Sequence, residues 1–312
     1  MAANVELVDP KRIKPNPDNP RLIFHEDELA ELEKSISSQG ILVPLSIYPE
    51  RAGYFLIDGE RRWRCASRLG LHRVPAIIQS KPNKITNIMM MFAIHNARKD
   101  WDPLPTAMKL QELEGELTRA KGKAPKEGEL AAAASLSRGE IRRLKKILRI
   151  PQNLKDEVMR ELEKPRSEQQ ITLDQVLEAT VAAERLKKSG LIPNNREARA
   201  AKAIVEKFRT KVLKNTTAPR KISKIISFVE NGDVSKDLVA REVDKFLSTQ
   251  TATIDTLYER TVQHEAAFQS VEQAAEKFVR QLEELSEVGD EIPDNLRQVL
   301  LRVRALIGGL VR

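Results

Sequence analysis

A single cysteine stands among 312 residues, so no disulfide can form within the chain and the fold must rest on packed apolar surface. Aromatic residues make up only 4% of the chain, which argues against single-stranded nucleic acid as the main ligand, because proteins that bind it present aromatic stacking platforms. Long hydrophobic runs are missing too. The longest, Ile88 to Ile94, is far too short to cross a bilayer. The opening Met1-Ala-Ala-Asn-Val-Glu has neither the basic start nor the apolar core of a secretion signal. These absences predict a soluble, cytoplasmic protein with no membrane partner, and a duplex in preference to a single strand if the ligand is nucleic acid.

The charge count is 53 − 45 = +8, a balance that favours an anionic partner, and the length allows two or three domains. Up to about residue 95, short strand signals (Leu42 to Tyr48, Tyr54 to Ile57, Val74 to Ile78) alternate with helical stretches and with Pro and Gly. That pattern predicts an α+β domain. Within it, an apolar strand ending at Ile57 meets the turn Asp58-Gly59, then a helix from Glu60 to Leu69 closed by Gly70. Arg61 and Arg62 therefore fall in the first turn of a helix. Acidic residues usually stabilise that position, and its amides and dipole favour an anion, so the adjacent guanidinium forks read as a phosphate site. The bland reading is a solvated face of Arg61, Arg62, Arg64 and Arg68. Cys65, inside this helix, reads as a buried and inert thiol.

Beyond Trp101 the strand signals stop. Asp102-Pro103 opens an amphipathic helix, and after a basic connection a short Ala-rich helix (Gly128 to Ala134) leads through Ser135-Leu136 to the capping box Ser137-Arg-Gly-Glu140. In the helix that follows, Ile141, Leu144, Ile147 and Leu148 share one side, and Arg138, Arg142, Lys145, Lys146 and Arg149 the other, with Arg143 at the margin. A short helix, a tight turn and a second helix with a basic face predict a helix-turn-helix, with Ser137, Arg138, Arg142, Arg143, Lys145 and Lys146 facing double-stranded DNA. Its turn lacks the glycine common in such units. Thr172 and Gln175 form another capping box for a helix that stops at Gly190. Arg196 to Lys224 holds ten basic residues against two acidic ones, readable as a second phosphate-tracking surface or as a solvated helical face. Near the end, Phe268, Val271, Ala275, Phe278, Leu282 and Leu285 follow heptad spacing, which extends back through His264 and Thr261 to Leu257 and Ile254. With the stripe Leu296 to Leu310 this predicts either a folded-back hairpin or pairing with a second subunit.

The segment Gly59-Glu-Arg-Arg-Trp-Arg-Cys-Ala-Ser67 resembles the Gly-Glu-Arg-Arg box of the ParB family of DNA partition proteins. Asn19-Pro20-Arg21, Leu29 to Ile36, Gly40-Ile-Leu-Val-Pro-Leu45, His95-Asn-Ala-Arg98 and Asp102-Pro103 surround it in the family's order, over roughly residues 5 to 185. The resemblance implies an α+β ParB/sulfiredoxin-like domain (1–98) and an all-α helix-turn-helix domain (99–190); beyond them the sequence pattern predicts a long helical C-terminal region in place of the family's short Lys-rich dimerisation tail, basic over 191–250 and coiled-coil or hairpin over 251–312. The resemblance also implies binding of CTP with Mg²⁺, recognition of a palindromic centromere-like site, a homodimeric clamp in plasmid or chromosome partition, and association with the nucleoid or a plasmid. Carried over, Gly59, Arg61 and Arg62 hold the triphosphate, Glu60 and Asn96 face the metal, Arg98 belongs to the same site, and Pro44 borders the base.

Three departures qualify the resemblance. His95 stands where the family usually has a carboxylate tied to hydrolysis, so the expected CTPase is weak or lost; Val43 replaces a frequent Gln beside the proline. The leader through which relatives stimulate a ParA-type ATPase reads as short or missing, which weakens the expectation of that partner. Two competing readings follow: a transcription or replication regulator on the same scaffold, and an enzyme of the sulfiredoxin-like fold. The latter needs an accessible cysteine in the nucleotide loop, whereas Cys65 lies within the helix.

Overall fold

The computed structural model describes residues 5–19, 21–51, 53–96, 102–288 and 292–310. Its first layer is a mixed five-stranded sheet made of β1 (Val5–Val8), β2 (Ile13–Lys14), β3 (Leu45–Glu50), β4 (Gly53–Asp58) and β5 (Val74–Ile78), in the order β1-β5-β3-β4-β2. β3 lies at the centre, parallel to β5 and antiparallel to β4. Its Leu45 and Ile47 are buried with Leu56, Val74 and Ala76, which is why this register, with one apolar face inward, is the one adopted.

Helix α1 (Glu26–Gln39) starts with Glu26, Asp27 and Glu28, the charge its dipole favours, and buries Leu29 and Ile36. It packs on α2 (Glu60–Arg68), where the small Cys65 lies against Leu29 and Ile36 while Ala66 faces the sheet. The Cys65 thiol is buried, its Sγ lies 3.6 Å from the Leu29 carbonyl oxygen, and burial pushes its pKa up. An inert thiol was expected there.

Helix α3 (Lys84–Asn96) joins this layer to the helices that follow. Met91 packs with Tyr48 and Ile57 of the sheet, while Ile88 and Phe92 enter the core of the helical body. That body comprises α4 (Pro103–Lys121), α5 (Glu127–Ala133), α6 (Arg138–Leu148), α7 (Gln152–Leu162), α8 (Leu173–Lys188), α9 (Glu197–Arg209), α10 (Lys221–Glu230), α11 (Lys236–Ser248) and α12 (Ile254–Thr261). One apolar core runs through all of them to Val262. Both capping boxes form as the sequence predicts, at Ser137–Glu140 and Thr172–Gln175.

One expectation needs correction. The heptad seam does not continue backwards from Phe268, because the helix breaks at Val262, and Ile254, Leu257 and Thr261 on the near side of the break are buried in the body. Beyond it, α13 (Gln263–Val288) and α14 (Asp294–Leu310) are helical, but no described residue after Val262 is buried; Phe268 is 69% exposed. A hairpin that buries its own seam is therefore not what these helices form. The basic run 196–224 is paired only in part: Arg199, Lys202, Lys211, Lys214 and Lys224 are exposed without a carboxylate partner among the described residues. Arg196 pairs with Asp244, Arg209 with Glu157 and Glu206, Arg220 with Glu178 and Lys221 with Asp255. Lys207 is buried, with Nζ donating to the carbonyls of Thr249 (2.6 Å), Gln250 (3.2 Å) and Ala252 (2.8 Å). Periodicity alone could not reveal this, because the acidic partners lie on other helices.

Candidate functional site

The turn between β4 and α2 builds the site. Gly59 takes φ +100°, a left-handed conformation open to glycine, and caps α2. A side chain there would also collide, since a Cβ would lie 2.6 Å from Leu45 Cδ2 and 3.1 Å from Arg62 Nη2. In front of the turn is a cavity of about 200 Å³, lined by Asn16, Asn19, Arg21 and Phe24 on one wall and by Asp58, Gly59, Glu60, Arg61 and Arg62 on the other.

Four arginines on one short helix repel one another unless carboxylates lie near, and α1 supplies them. Arg68 pairs with Glu26 (2.8 Å) and Glu33 (3.3 Å), and Arg61 Nη2 lies 3.5 Å from Glu28 Oε2 and donates to the Glu28 carbonyl at 3.2 Å. Arg64 pairs with Glu60 one turn back (2.6 Å) and lies over the Phe24 ring. The solvated-face reading thus fits Arg64 and Arg68 in part, although Arg68 also fastens the two helices and Arg64 holds Phe24 against α2.

Arg61 and Arg62 differ from each other. Arg61 Nε is buried and has no hydrogen-bond partner. A buried donor left unpaired costs about 1–3 kcal/mol. Arg62 is engaged: Nη1 donates to the carbonyls of Pro44 (2.9 Å) and Val43, and Nη2 to Asp58 Oδ2 (2.9 Å). Pro44 thus meets the site through its carbonyl.

Glu60, expected to face a metal, is buried with both oxygens occupied: Asn19 Nδ2 donates to one at 2.7 Å and Arg64 to the other. No group of three or more His, Cys, Asp or Glu side chains able to hold a metal occurs among the described residues. These donors do not by themselves fit a Mg²⁺ ion. The expected second ligand, Asn96, ends α3, but its side chain lies outside the described residues, as does Arg98.

Sequence reasoning assigned no role to Asn16, Asn19, Arg21 or Phe24. Asn19 and Arg21 belong to a recognised motif, but Asn16 and Phe24 come from irregular chain without periodicity. Asn16 and Asn87 exchange side-chain hydrogen bonds (2.9 and 3.2 Å), Asn87 also donates to Asp18 (2.9 Å), and Lys109 of α4 lies 3.6 Å from Asp18. This buried network fixes the pocket wall to α3 and α4.

The second candidate surface is α6. Its buried side is Ile141, Leu144 and Ile147, and the predicted basic side faces out. The turn before it places Ser135 at φ +53°, the left-handed conformation that glycine would adopt without strain. The Ser137 hydroxyl accepts from the Glu140 amide, so it is occupied in capping. Arg142 pairs with Glu127 (3.0 Å), Arg143 with Asp174 (3.5 Å) and Lys145 with Glu114 (2.8 Å), while Arg138 and Lys146 have no carboxylate partner among the described residues. No helix among the described residues is long and apolar enough to cross a membrane.

The chain thus joins an α+β layer, with two adjacent arginines at a glycine-capped helix start, to helices of which α6 has a basic outward face. Residues 1–95 match the ParB N-terminal domain. The chain is 37% identical over 119 residues to the chromosome-partitioning protein Spo0J of Thermus thermophilus, covering 36% of this chain and 44% of that protein. It is 31% identical over 150 residues to the stage 0 sporulation protein J of Bacillus subtilis, covering 48% of this chain and 51% of that protein. The chain thus spans about half the length of the curated relatives it matches. Among solved structures, a C-terminally truncated ParB of Caulobacter crescentus complexed with CTP-gamma-S aligns with 65% of this chain and 99% of its own, at 22% identity and a TM-score of 0.30.

Proposed function

We propose that this chain is a nucleotide-gated, DNA-binding partition protein, with CTP at the Gly59–Arg62 turn and duplex DNA on α6. The observation that carries this reading is the buried Arg61 Nε, a cationic donor without a partner beside a glycine-capped helix start, within a segment matching the ParB N-terminal domain. Gly59, Arg61 and Arg62 take the phosphates and Pro44 borders the base; Asn96 and Arg98 complete the site by family resemblance. Because Glu60 is already satisfied, Mg²⁺ comes with the nucleotide and keeps phosphate and water as its principal ligands.

On the DNA side, α5 and α6 act as a helix-turn-helix that reads a palindromic site. Arg138, Arg142, Arg143, Lys145 and Lys146 supply phosphate and base-edge contacts, and Ser137 contributes mainly by fixing the start of the helix. A homodimer matches such a site, and the exposed apolar residues of α13 and α14 supply surface for it. A ParA-type ATPase is the partner the family implies. Calorimetry with CTP, ATP and GTP in the presence of Mg²⁺, with and without genomic DNA fragments, tests the reading. CTP binding that strengthens with one fragment supports it; no binding of any nucleotide overturns it.

A further inference from the structure

We propose that Arg62 is a positioning residue: it tethers the 42–44 loop beside the pocket, and an anion seated on the Gly59–Arg62 turn draws the guanidinium away and frees the loop. This rests on the nucleotide reading and concerns how that site opens. The loop leaves α1 at Gly40 (φ +72°) and has no helical or strand structure until Leu45. Apolar packing does not hold its tip, since Leu42 is 74% and Val43 58% exposed. What holds it is Arg62, which reaches back 19 and 18 residues to the carbonyls of Val43 and Pro44 while its other nitrogen rests on Asp58.

Three features make the tether exchangeable. Carbonyl oxygens are weaker acceptors for a guanidinium than phosphate oxygens, which bind it bidentately. The third acceptor, the Asp58 carboxylate, lines the same cavity and repels an incoming anion unless a cation comes between them. Finally, Arg62 itself lines the cavity, so an anion seated there meets its guanidinium directly. Arg61 gives up no bond at Nε to meet the anion, so it makes first contact and Arg62 follows.

A nitroxide on Leu42→Cys tests the tether in the full chain. Cys65 is the only other thiol and is buried, so labelling is selective. The ligand-free spectrum is expected to be broad. Tripolyphosphate with Mg²⁺, which has no base, should shorten the probe's correlation time by about twofold or more. Arg62→Gln should do so without ligand and show no further change on adding it; Arg62→Lys, which keeps the charge but cannot span all three acceptors, should behave alike and serves if the glutamine variant fails to fold. An unchanged spectrum in the folded variants overturns the tether. So does tripolyphosphate that binds by calorimetry yet leaves the loop immobile, an outcome that spares the nucleotide reading. If neither tripolyphosphate nor CTP binds, the nucleotide reading falls and the anion-driven release with it.

Discussion

Replacing Arg61 by alanine should weaken CTP·Mg²⁺ binding more than replacing Arg62, although the two stand side by side. A hydrogen bond from a charged donor is worth about 1.5–3 kcal/mol when nothing is lost to make it. Arg61 Nε meets that condition because it is buried without a partner. The nearby Arg61–Glu28 pair at 3.5 Å is partly exposed and adds at most about 1 kcal/mol to stability, with little bearing on the ligand. The expected loss of affinity for Arg61→Ala is therefore about 10- to 150-fold. Arg62 must first give up two carbonyls and the Asp58 carboxylate, and such bonds are worth about 0.5–1.5 kcal/mol each. Giving up three of them offsets most or all of what the new bonds supply, so its net contribution falls well below the about 1.5–3 kcal/mol that a free guanidinium would imply. Titration calorimetry of both variants, with melting curves to exclude unfolding, measures the difference. A larger loss for Arg62→Ala, with both folds intact, would refute the reasoning from unpaired donors.

Glu127→Gln should release Arg142 and tighten DNA binding, whereas Arg142→Ala should weaken it by about 1–3 kcal/mol if the residue reads a base, or lower the salt slope by about one if it meets a phosphate; fluorescence anisotropy across salt concentrations separates these. Ser135→Gly should stabilise the chain by about 0.5–1 kcal/mol, because the serine holds a left-handed backbone, and a denaturant midpoint that fell would contradict this. Burial raises the Asp102 carboxyl above its unfolded pKa, so its favourable contribution is present in acid and lost as pH rises through the folded value. Because the Asp102 side chain makes no capping bond, Asp102→Asn should raise Tm near neutral pH and leave it unchanged in acid, below the ordinary carboxylate range. A variant less stable at neutral pH would show that the buried charge is favourable.

The parts of this protein legible in its sequence are those set by neighbours along the chain. Gly59 before Glu60, Ser137 before Glu140 and Thr172 before Gln175 fix helix starts through bonds spanning a few residues, and each forms where the local pattern places it. What the sequence hid depends on partners far along the chain. Lys207 has the same local context as an exposed lysine, yet it is buried because the carbonyls at the end of α11 arrive beside it from more than forty residues away. Nothing local to Glu60 shows that Asn19, 41 residues earlier, donates to its carboxylate. The heptad spacing through Ile254 fails for a related reason. A seam predicts which residues are apolar, but the break at Val262 decides which of them face the helical body.

The same distinction bears on how the pocket and the helical body share one chain. The segment that supplies Asn19 to the pocket is held at Asn16 and Asp18 by Asn87 of α3, and Asp18 also faces Lys109 of α4. α4 in turn packs on α6 and pairs with it through Glu114 and Lys145. α3 enters both cores, with Met91 against the sheet and Ile88 and Phe92 among the helices. Displacing the pocket wall alone would therefore break buried polar bonds whose unpaired groups cost about 1–3 kcal/mol each. Movement of the wall together with α3 and α4 keeps those bonds. The less costly motion is thus the one that carries a change at the Gly59–Arg62 turn toward α6.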